Sequence, residues 1–196
     1  MSVNNEQSYD AVANDFACSK STAEIPPKVQ ELSELLRAKA EILDIGSGSG
    51  RPIDKFLSDA GHRVLGIDVS EKLIEIARQN VPDASFMKVD VRDFNTQRQF
   101  DAVIAWDSLF HLQPDQQEPV FKRVGTFIKP AGYFLFTHGG REAEMEGEMY
   151  GHRFSYSSPD PEKIKKLLHA AGFRILSFDI DDSEANGYLI CLAQKI

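Results

Sequence analysis

Along this chain, short apolar runs alternate with longer stretches in which apolar residues return every three or four positions. Residues 41–45, 63–67, 85–89, 101–106 and 133–138 read as strands, while 52–60, 71–80 and 115–128 carry helical periodicity. Strand and helix in regular alternation imply right-handed crossovers, which set the strands parallel and cover both faces of the sheet with helices. The rhythm changes near the end. A helix over 161–171 stops at Gly172, a C-cap glycine, and two strands follow at 174–181 and 187–194. The turn-rich Asp182-Ser183-Glu184-Ala185-Asn186 between them is too short for a crossover, so these two strands are antiparallel neighbours. The pattern predicts an α/β fold, a doubly wound and mostly parallel sheet that finishes in an antiparallel β-hairpin.

Two segments stand outside this rhythm. Residues 1–39 carry the spacing Tyr9-Asp10-x-x-Ala13-x-x-Phe16 and then an amphipathic helix from about Pro27. Residues 139–158 hold Met145, Met149, Tyr150, Phe154 and Tyr156. Connections of that length in a compact domain serve a function or stay disordered. Both emerge at the carboxyl ends of the parallel strands, so both are expected to form lid and acceptor-pocket material, although any one aromatic there is equally well explained as packing under a long loop. The division is therefore an N-terminal helical lid segment (1–39) and one α/β domain (40–196) with an insertion at about 139–158.

Composition narrows the class. With 196 residues, 42% hydrophobic and 27% charged, the chain is long enough for one domain with a core. A formal net charge of -8 disfavours a nucleic-acid partner, because phosphate contacts need clustered Lys and Arg. Lys163, Lys165 and Lys166 fall on a predicted amphipathic helix, where a solvated face accounts for them. The polar N-terminus has no apolar signal core, and no stretch is long enough to cross a bilayer. Cys18 and Cys191 lack a metal-like spacing, so reduced thiols in the cytoplasm and no metal are expected.

The run Glu41-Ile42-Leu43-Asp44-Ile45-Gly46-Ser47-Gly48-Ser49-Gly50 is the strongest chemical signal. A buried strand enters three glycines spaced two apart, and a helix follows whose free N–H groups face the turn. Glycine permits a sharp turn and close approach of a ligand. A dinucleotide fingerprint would place its third glycine where Arg51 stands. Asp44 sits in the cradle itself, where a carboxylate repels a pyrophosphate but can hold an ammonium, directly or through water. Asp44-Ile45-Gly46-Ser47-Gly48-Ser49-Gly50 resembles the first motif of class I S-adenosylmethionine-dependent methyltransferases, whose cofactor has a methionine tail and no phosphate. A dinucleotide cradle and a ligand-free glycine turn are the alternatives for this motif taken alone.

Ligands of open α/β sheets bind beyond the carboxyl ends of the strands. The second strand ends in Asp68, followed by Val69. A carboxylate there can accept bonds from both hydroxyls of a ribose; its alternative role is an N-cap before the helix at Ser70. The third strand runs into Lys88-Val89-Asp90-Val91-Arg92-Asp93-Phe94. The resemblance implies that Asp90 meets the adenine amine and the backbone of Val91 a ring nitrogen, with Asp93 a turn residue. Phe100 to Leu112 resembles the family's fourth motif, down to the Phe110-His111-Leu112 ending. It implies that the backbone near Ala105 and Trp106 holds the methionine amine. Lys129-Pro130-Ala131-Gly132 resembles the turn entering the fifth strand, with Ala131 departing from the usual glycine. These motifs, with the reversed strand, imply the Rossmann-like class I methyltransferase fold from Glu41 onward.

Methyl transfer from a sulfonium is an in-line displacement, and alignment alone is worth up to ~7–11 kcal/mol. A base is needed only where the acceptor must lose a proton early; His111, His138, Asp107 and Tyr156 are the candidates. A structural, hydrogen-bonded role is the commoner fate of such histidines. Tyr9 and Trp106 are expected to wall the site, where an aromatic face beside a sulfonium gains about 0.5–2 kcal/mol. No Asp/Asn-Pro-Pro-Tyr/Phe run and no Pro-Cys follow the fourth strand, which argues against methylation of exocyclic base nitrogens and of pyrimidine carbons. No acids cluster there to suggest a magnesium site; Asp179, Asp181 and Asp182 lie on the terminal hairpin, a solvated edge. The sequence therefore predicts S-adenosylmethionine-dependent methylation of a small molecule at O, N or C. Its rivals are a module that binds the cofactor without transferring methyl and a nucleotide-dependent reductase. Arg51, Asp44 and the terminal hairpin disfavour the reductase.

Overall fold

The computed structural model describes residues 3–181, 183 and 187–196. Strands β1 (Glu41–Ile45), β2 (Arg63–Asp68), β3 (Ser85–Lys88), β4 (Phe100–Ala105) and β5 (Ile128–Gly139) pair in parallel. Strand β8 (Phe173–Asp181) and the reversed β9 (Tyr188–Lys195) complete a seven-stranded sheet of order β3-β2-β1-β4-β5-β9-β8. The antiparallel strand thus lies one place in from the edge, because β9 pairs with β5 and carries β8 outside it. Apart from Ser183, the turn joining these two strands falls outside the described residues. Among the described residues no helix is long and apolar enough to cross a membrane, and no group of three metal-ligating side chains occurs.

Side chains of a strand alternate between faces, and β1 shows what that does here. Ile42 packs with Ile104, Leu135 and Val29 on one face, under α2 (Pro27–Leu35) and α3 (Ile53–Asp59). Leu43 packs with Val103, Phe134, Phe136 and Phe121 on the other, under α5 (Pro114–Phe127) and α6 (Pro161–Ala170). Both faces are dry, as a parallel sheet requires. Helix α4 (Glu71–Asn80) starts at Ser70, whose hydroxyl caps the Leu73 N–H at 3.2 Å.

Three features add to the expectation or depart from it. The predicted loop at 139–158 is instead a second, two-stranded sheet, β6 (Ala143–Met149) with β7 (His152–Ser158). Its turn, Tyr150-Gly151, has both φ values positive (51° and 76°), as a tight two-residue hairpin demands. Glu142, Glu144, Glu146 and Glu148 recur with period two, a strand signal that the loop reading passed over. The first segment forms a 16-residue helix, α1 (Asn5–Lys20), of which only Val12 and Ala13 are buried, so little apolar periodicity marks it. Third, β5 begins at Ile128, five residues before the predicted strand. The turn at Ala131 (φ 62°) is absorbed as an irregularity opposite Phe100–Ala102.

Candidate functional site

The loop after β1 is pulled over the end of β2. The N–H groups of Gly46 and Ser47 both donate to the Ile67 carbonyl, at 2.8 and 3.1 Å. Gly46 has φ 78°, and a Cβ there would stand 2.3 Å from the Ser108 Cβ, so only glycine fits between β1 and the start of the β4–α5 connection. Ser108 is fixed in turn by donating to the Ile45 carbonyl at 2.7 Å. Gly48 donates its N–H to Asp68 Oδ2 at 2.9 Å, and Asp68 Oδ1 accepts from the Ser70 N–H at 2.8 Å. One carboxylate therefore ties the glycine loop to the first turn of α4.

A cavity of about 630 Å³ opens above these strand ends. Asp44, Gly46, Gly48, Asp68 and Val69 line its floor; Asp90, Val91 and Trp106 line its sides. Tyr9, Asp107 and His111 close its far end. Gly50 and Ala105 do not border it. Gly50 packs instead against α4 and β3, where a Cβ would meet Val81 and Phe86 at 3.1 and 3.3 Å, and Ala105 is buried in the core. Asp90 faces the cavity only partly, because Arg92 takes its carboxylate at 2.9 Å through Nε. Burial raises the Asp90 carboxyl, but the Arg92 bonds outweigh it and hold the group below its usual range.

The floor is acidic. Asp44 and Asp54 (first turn of α3) are 3% and 1% exposed, and their carboxyls lie in hydrogen-bonding contact. Among the described residues Asp44 Oδ1 and both Asp54 oxygens have no other partner. A bond between two carboxyls requires a proton on one of them. Burial, more than the neighbouring charges, pushes Asp44 up to about 7 and Asp54 well above the carboxylate range.

At the far end, Asn5 reads the backbone of β7 like a paired strand. Its Oδ1 accepts from the Ser155 N–H at 2.9 Å, and its Nδ2 donates to the Ser155 carbonyl at 3.0 Å. The same carbonyl, an acceptor, lies 3.0 Å from His111 Nδ1, and the Asn5 NH₂, a donor, lies 3.1 Å from the same nitrogen, so these two neighbours favour opposite tautomers. His111 Nε2 lies 2.8 Å from the Tyr9 hydroxyl, which can donate to it or accept from it. Burial lowers the His111 pKa, with the Ser155 bond and Asp107 opposing; burial likewise raises that of Tyr9. A neutral imidazole and a neutral phenol face each other. Asp107 (φ 51°) accepts from the Tyr188 hydroxyl at 2.6 Å, with Lys20 of α1 at 3.8 Å.

His138 and Tyr156 lie elsewhere. Both line a smaller cavity of about 140 Å³ between β5 and the β6–β7 hairpin. His138 Nδ1 accepts from the Gly139 N–H at 3.0 Å, and burial pushes its pKa down to about 4. Tyr156 reaches the main site only through its ring, 5.0 Å from that of His111.

A sequence profile of the methyltransferase domain matches residues 42–132, the stretch that builds the glycine loop and all four strand ends above the cavity. The fold is that of the class I S-adenosylmethionine-dependent methyltransferases. Over 184 residues it is 24% identical to phosphoethanolamine N-methyltransferase of Plasmodium falciparum, covering 89% of this chain and 68% of that enzyme. Over 132 residues it is 30% identical to a tRNA N(3)-methylcytidine methyltransferase of Schizosaccharomyces pombe, covering 60% of this chain and 43% of that protein. Among solved structures, magnesium protoporphyrin IX methyltransferase of Synechocystis, with SAH bound, superposes with a TM-score of 0.75 at 16% identity over 98% of both chains. The methyltransferase profile stops before β6, so the hairpin and α1, which complete the far end, lie beyond it.

Sequence reasoning missed Asn5, Ser155, Asp54 and Tyr188. Only Asp54 had a local signal: it stands three residues before buried Leu57, on the face of α3 that should be apolar.

Proposed function

We propose that this methyltransferase binds S-adenosylmethionine above the β1, β2 and β3 ends and transfers its methyl group to a small molecule. One observation carries the reading: a single cavity runs from Asp44 and Asp68 to the Tyr9–His111 pair. Its volume falls within the ~300–1,000 Å³ of sites that bury a small ligand. The residues fit that cofactor. Asp44 borders the cavity floor, where a carboxylate suits an ammonium. Asp68 is placed for the ribose hydroxyls, and Asp90 with Val91 for the adenine edge. The close approach at Gly48, where a Cβ would meet Phe16 at 3.3 Å, leaves backbone rather than side chain against the ligand. Bound there, the cofactor supplies a methyl carried on a sulfonium.

The chain's own part is alignment, exclusion of water and, where required, proton removal. Helix α1 and the β6–β7 hairpin act as the lid, joined by the Asn5–Ser155 bonds. His111, kept neutral by burial and paired through Nε2 with the Tyr9 hydroxyl at the end of the cavity, is the base we assign to an acceptor that must lose a proton; Asp107 borders the same end. Trp106 and Tyr9 wall the methyl. The relationship to a phosphoethanolamine enzyme supports a small acceptor. The net charge of -8 weighs against an RNA acceptor such as that of the Schizosaccharomyces relative. Titration calorimetry with S-adenosylhomocysteine and with NAD tests the cofactor. Binding of S-adenosylhomocysteine alone, followed by turnover of S-adenosylmethionine on a panel of small amines, phenols and acids, is the expected outcome. Binding of NAD alone, or no turnover on any acceptor, overturns it.

A further inference from the structure

Nothing in the reading above gives Asp54 a task, yet it is the most buried acid of the cradle. Its position on α3 calls for an apolar side chain, and its two oxygens meet only Asp44. We infer that Asp54 is a positioning residue that holds Asp44 through a shared proton, and that binding of the amine-bearing cofactor drives one proton out of this pair. The inference rests on the cofactor reading above and deepens it.

The argument is geometric first. Asp44 borders the cavity, its Oδ1 is buried, and among the described residues the Asp54 carboxyl is the group in hydrogen-bonding contact with it. With both carboxyls protonated, Asp44 is a neutral acid and holds an ammonium poorly. With one proton, Asp54 donates to Asp44, and the anion faces the cavity. An arriving ammonium selects the second state, so the doubly protonated pair gives one proton to solvent and the Asp54–Asp44 bond remains. Charges around the pair do not supply a competing cation. Asp68 on β2 and, behind it, Asp10 on α1, which accepts from the Ser70 hydroxyl, add negative charge. Lys55 on α3 is bound to Asp59 at the surface, and Arg51 of the loop borders the cavity without an ion pair to any of these four acids. Burial raises Asp44 to about 7, which sets the window between pH 6 and pH 8.

The test is calorimetric titration of the full chain with S-adenosylhomocysteine at pH 6 and pH 8, each in two buffers of different ionisation enthalpy. Linkage about a midpoint near 7 predicts about tenfold weaker binding at pH 6, with close to one proton released there and almost none at pH 8. Asp54→Asn keeps a neutral donor toward Asp44, so the wild-type ratio between the two pH values should be retained within about twofold. Asp54→Ala removes the donor that steadies the Asp44 anion while leaving the burial that opposes it, so the midpoint should move up and binding should be at least about threefold weaker than wild type at pH 8. Asp68 and His111 also titrate in the site, but a pH dependence arising from either is not moved by Asp54→Ala. Should that variant fail to fold, Asp54→Leu fills the volume, lacks the donor and carries the same expectation. Equal wild-type affinities at both pH values, or an Asp54→Ala profile identical to that of wild type, overturns the inference while leaving the cofactor assignment standing. No binding at either pH overturns both.

Discussion

Asp68→Asn is the sharpest probe of the cradle, because it changes one atom's hydrogen-bonding sense and almost nothing else. Each carboxylate oxygen of Asp68 accepts a backbone N–H, from Gly48 at 2.9 Å and from Ser70 at 2.8 Å, in a residue only 9% exposed. An asparagine can face one of these donors with its oxygen but must present its own NH₂ to the other. One buried N–H is then left unsatisfied, at about 1–3 kcal/mol, and the surviving bond loses its ionic partner, roughly another 1 kcal/mol. Against this, the change removes a negative charge that lies beside Asp44, Asp54 and Asp10. The net should be about 1–3 kcal/mol of destabilisation, which in a domain of this size lowers Tm by roughly 2–12 °C. The ribose hydroxyls lose a charged acceptor at the same time, so affinity for S-adenosylhomocysteine should fall by about tenfold or more. Thermal unfolding by circular dichroism and calorimetric titration read the two effects separately. A Tm within ~1 °C of wild type, with unaltered affinity, would show that this carboxylate neither ties the loop nor grips the sugar, and the assignment of the cradle would go with it.

Other perturbations have defined outcomes. Gly46→Ala forces a left-handed alanine and drives its Cβ to 2.3 Å from Ser108, a cost of about 2–5 kcal/mol in denaturant unfolding, and Ser108→Gly should recover part of it. Tyr9→Phe leaves His111 Nε2 without its hydroxyl partner, so if that hydroxyl donates to a neutral imidazole the imidazole pKa should rise in an NMR titration; a fall would show that Nε2 carries the proton and the hydroxyl accepts it. Asp101 is held down to about 2, its burial outweighed by bonds from Arg37, the Glu41 N–H and Lys129. Because that folded value lies below the unfolded one, the stabilisation is complete above about pH 4 and is lost as pH falls toward 2. Asp101→Asn should therefore lower stability at pH 7 and flatten its decline over that acid range, as measured by urea unfolding at each pH.

The parallel half of the fold was legible because its signals are local. In β1 every residue from Ile42 to Ile45 is buried, and α4 carries both a serine cap and a clean apolar stripe, so pattern and structure coincide at 41–45 and 71–80. The glycine loop and Asp68 were legible for the same reason: each is fixed by its own strand end. Tyr9, Asp107 and His111 were found as residues but not as a cluster, since what gathers them is a 16-residue helix with little amphipathicity and a hairpin read as loop. Asn5 contacts Ser155 across 150 positions, and no periodicity reports such a pair. His138 was misleading in a different way. It lies at the carboxyl end of β5 as the topology requires, yet its side chain belongs to the face of Phe134 and Phe136 and is sealed behind the hairpin.

The acids of the cradle also bear on which cofactor the fold can accept. Burying carboxyl groups without a cation is costly, and the two nearest here remain in the interior only by sharing a proton. An aliphatic residue at position 54 would pack on Leu57 and remove the cost, so packing alone does not call for an acid there. The missing positive charge must then come from outside the chain, on whatever fills the cavity. A diphosphate would add negative charges to Asp44 and Asp68 and deepen the penalty; a ligand with an ammonium at one end and a sulfonium at its centre removes it. The glycine spacing admits several nucleotide-like ligands, because it governs only how closely a backbone can approach. The carboxylates choose among them by sign, and that choice is independent of the glycine pattern.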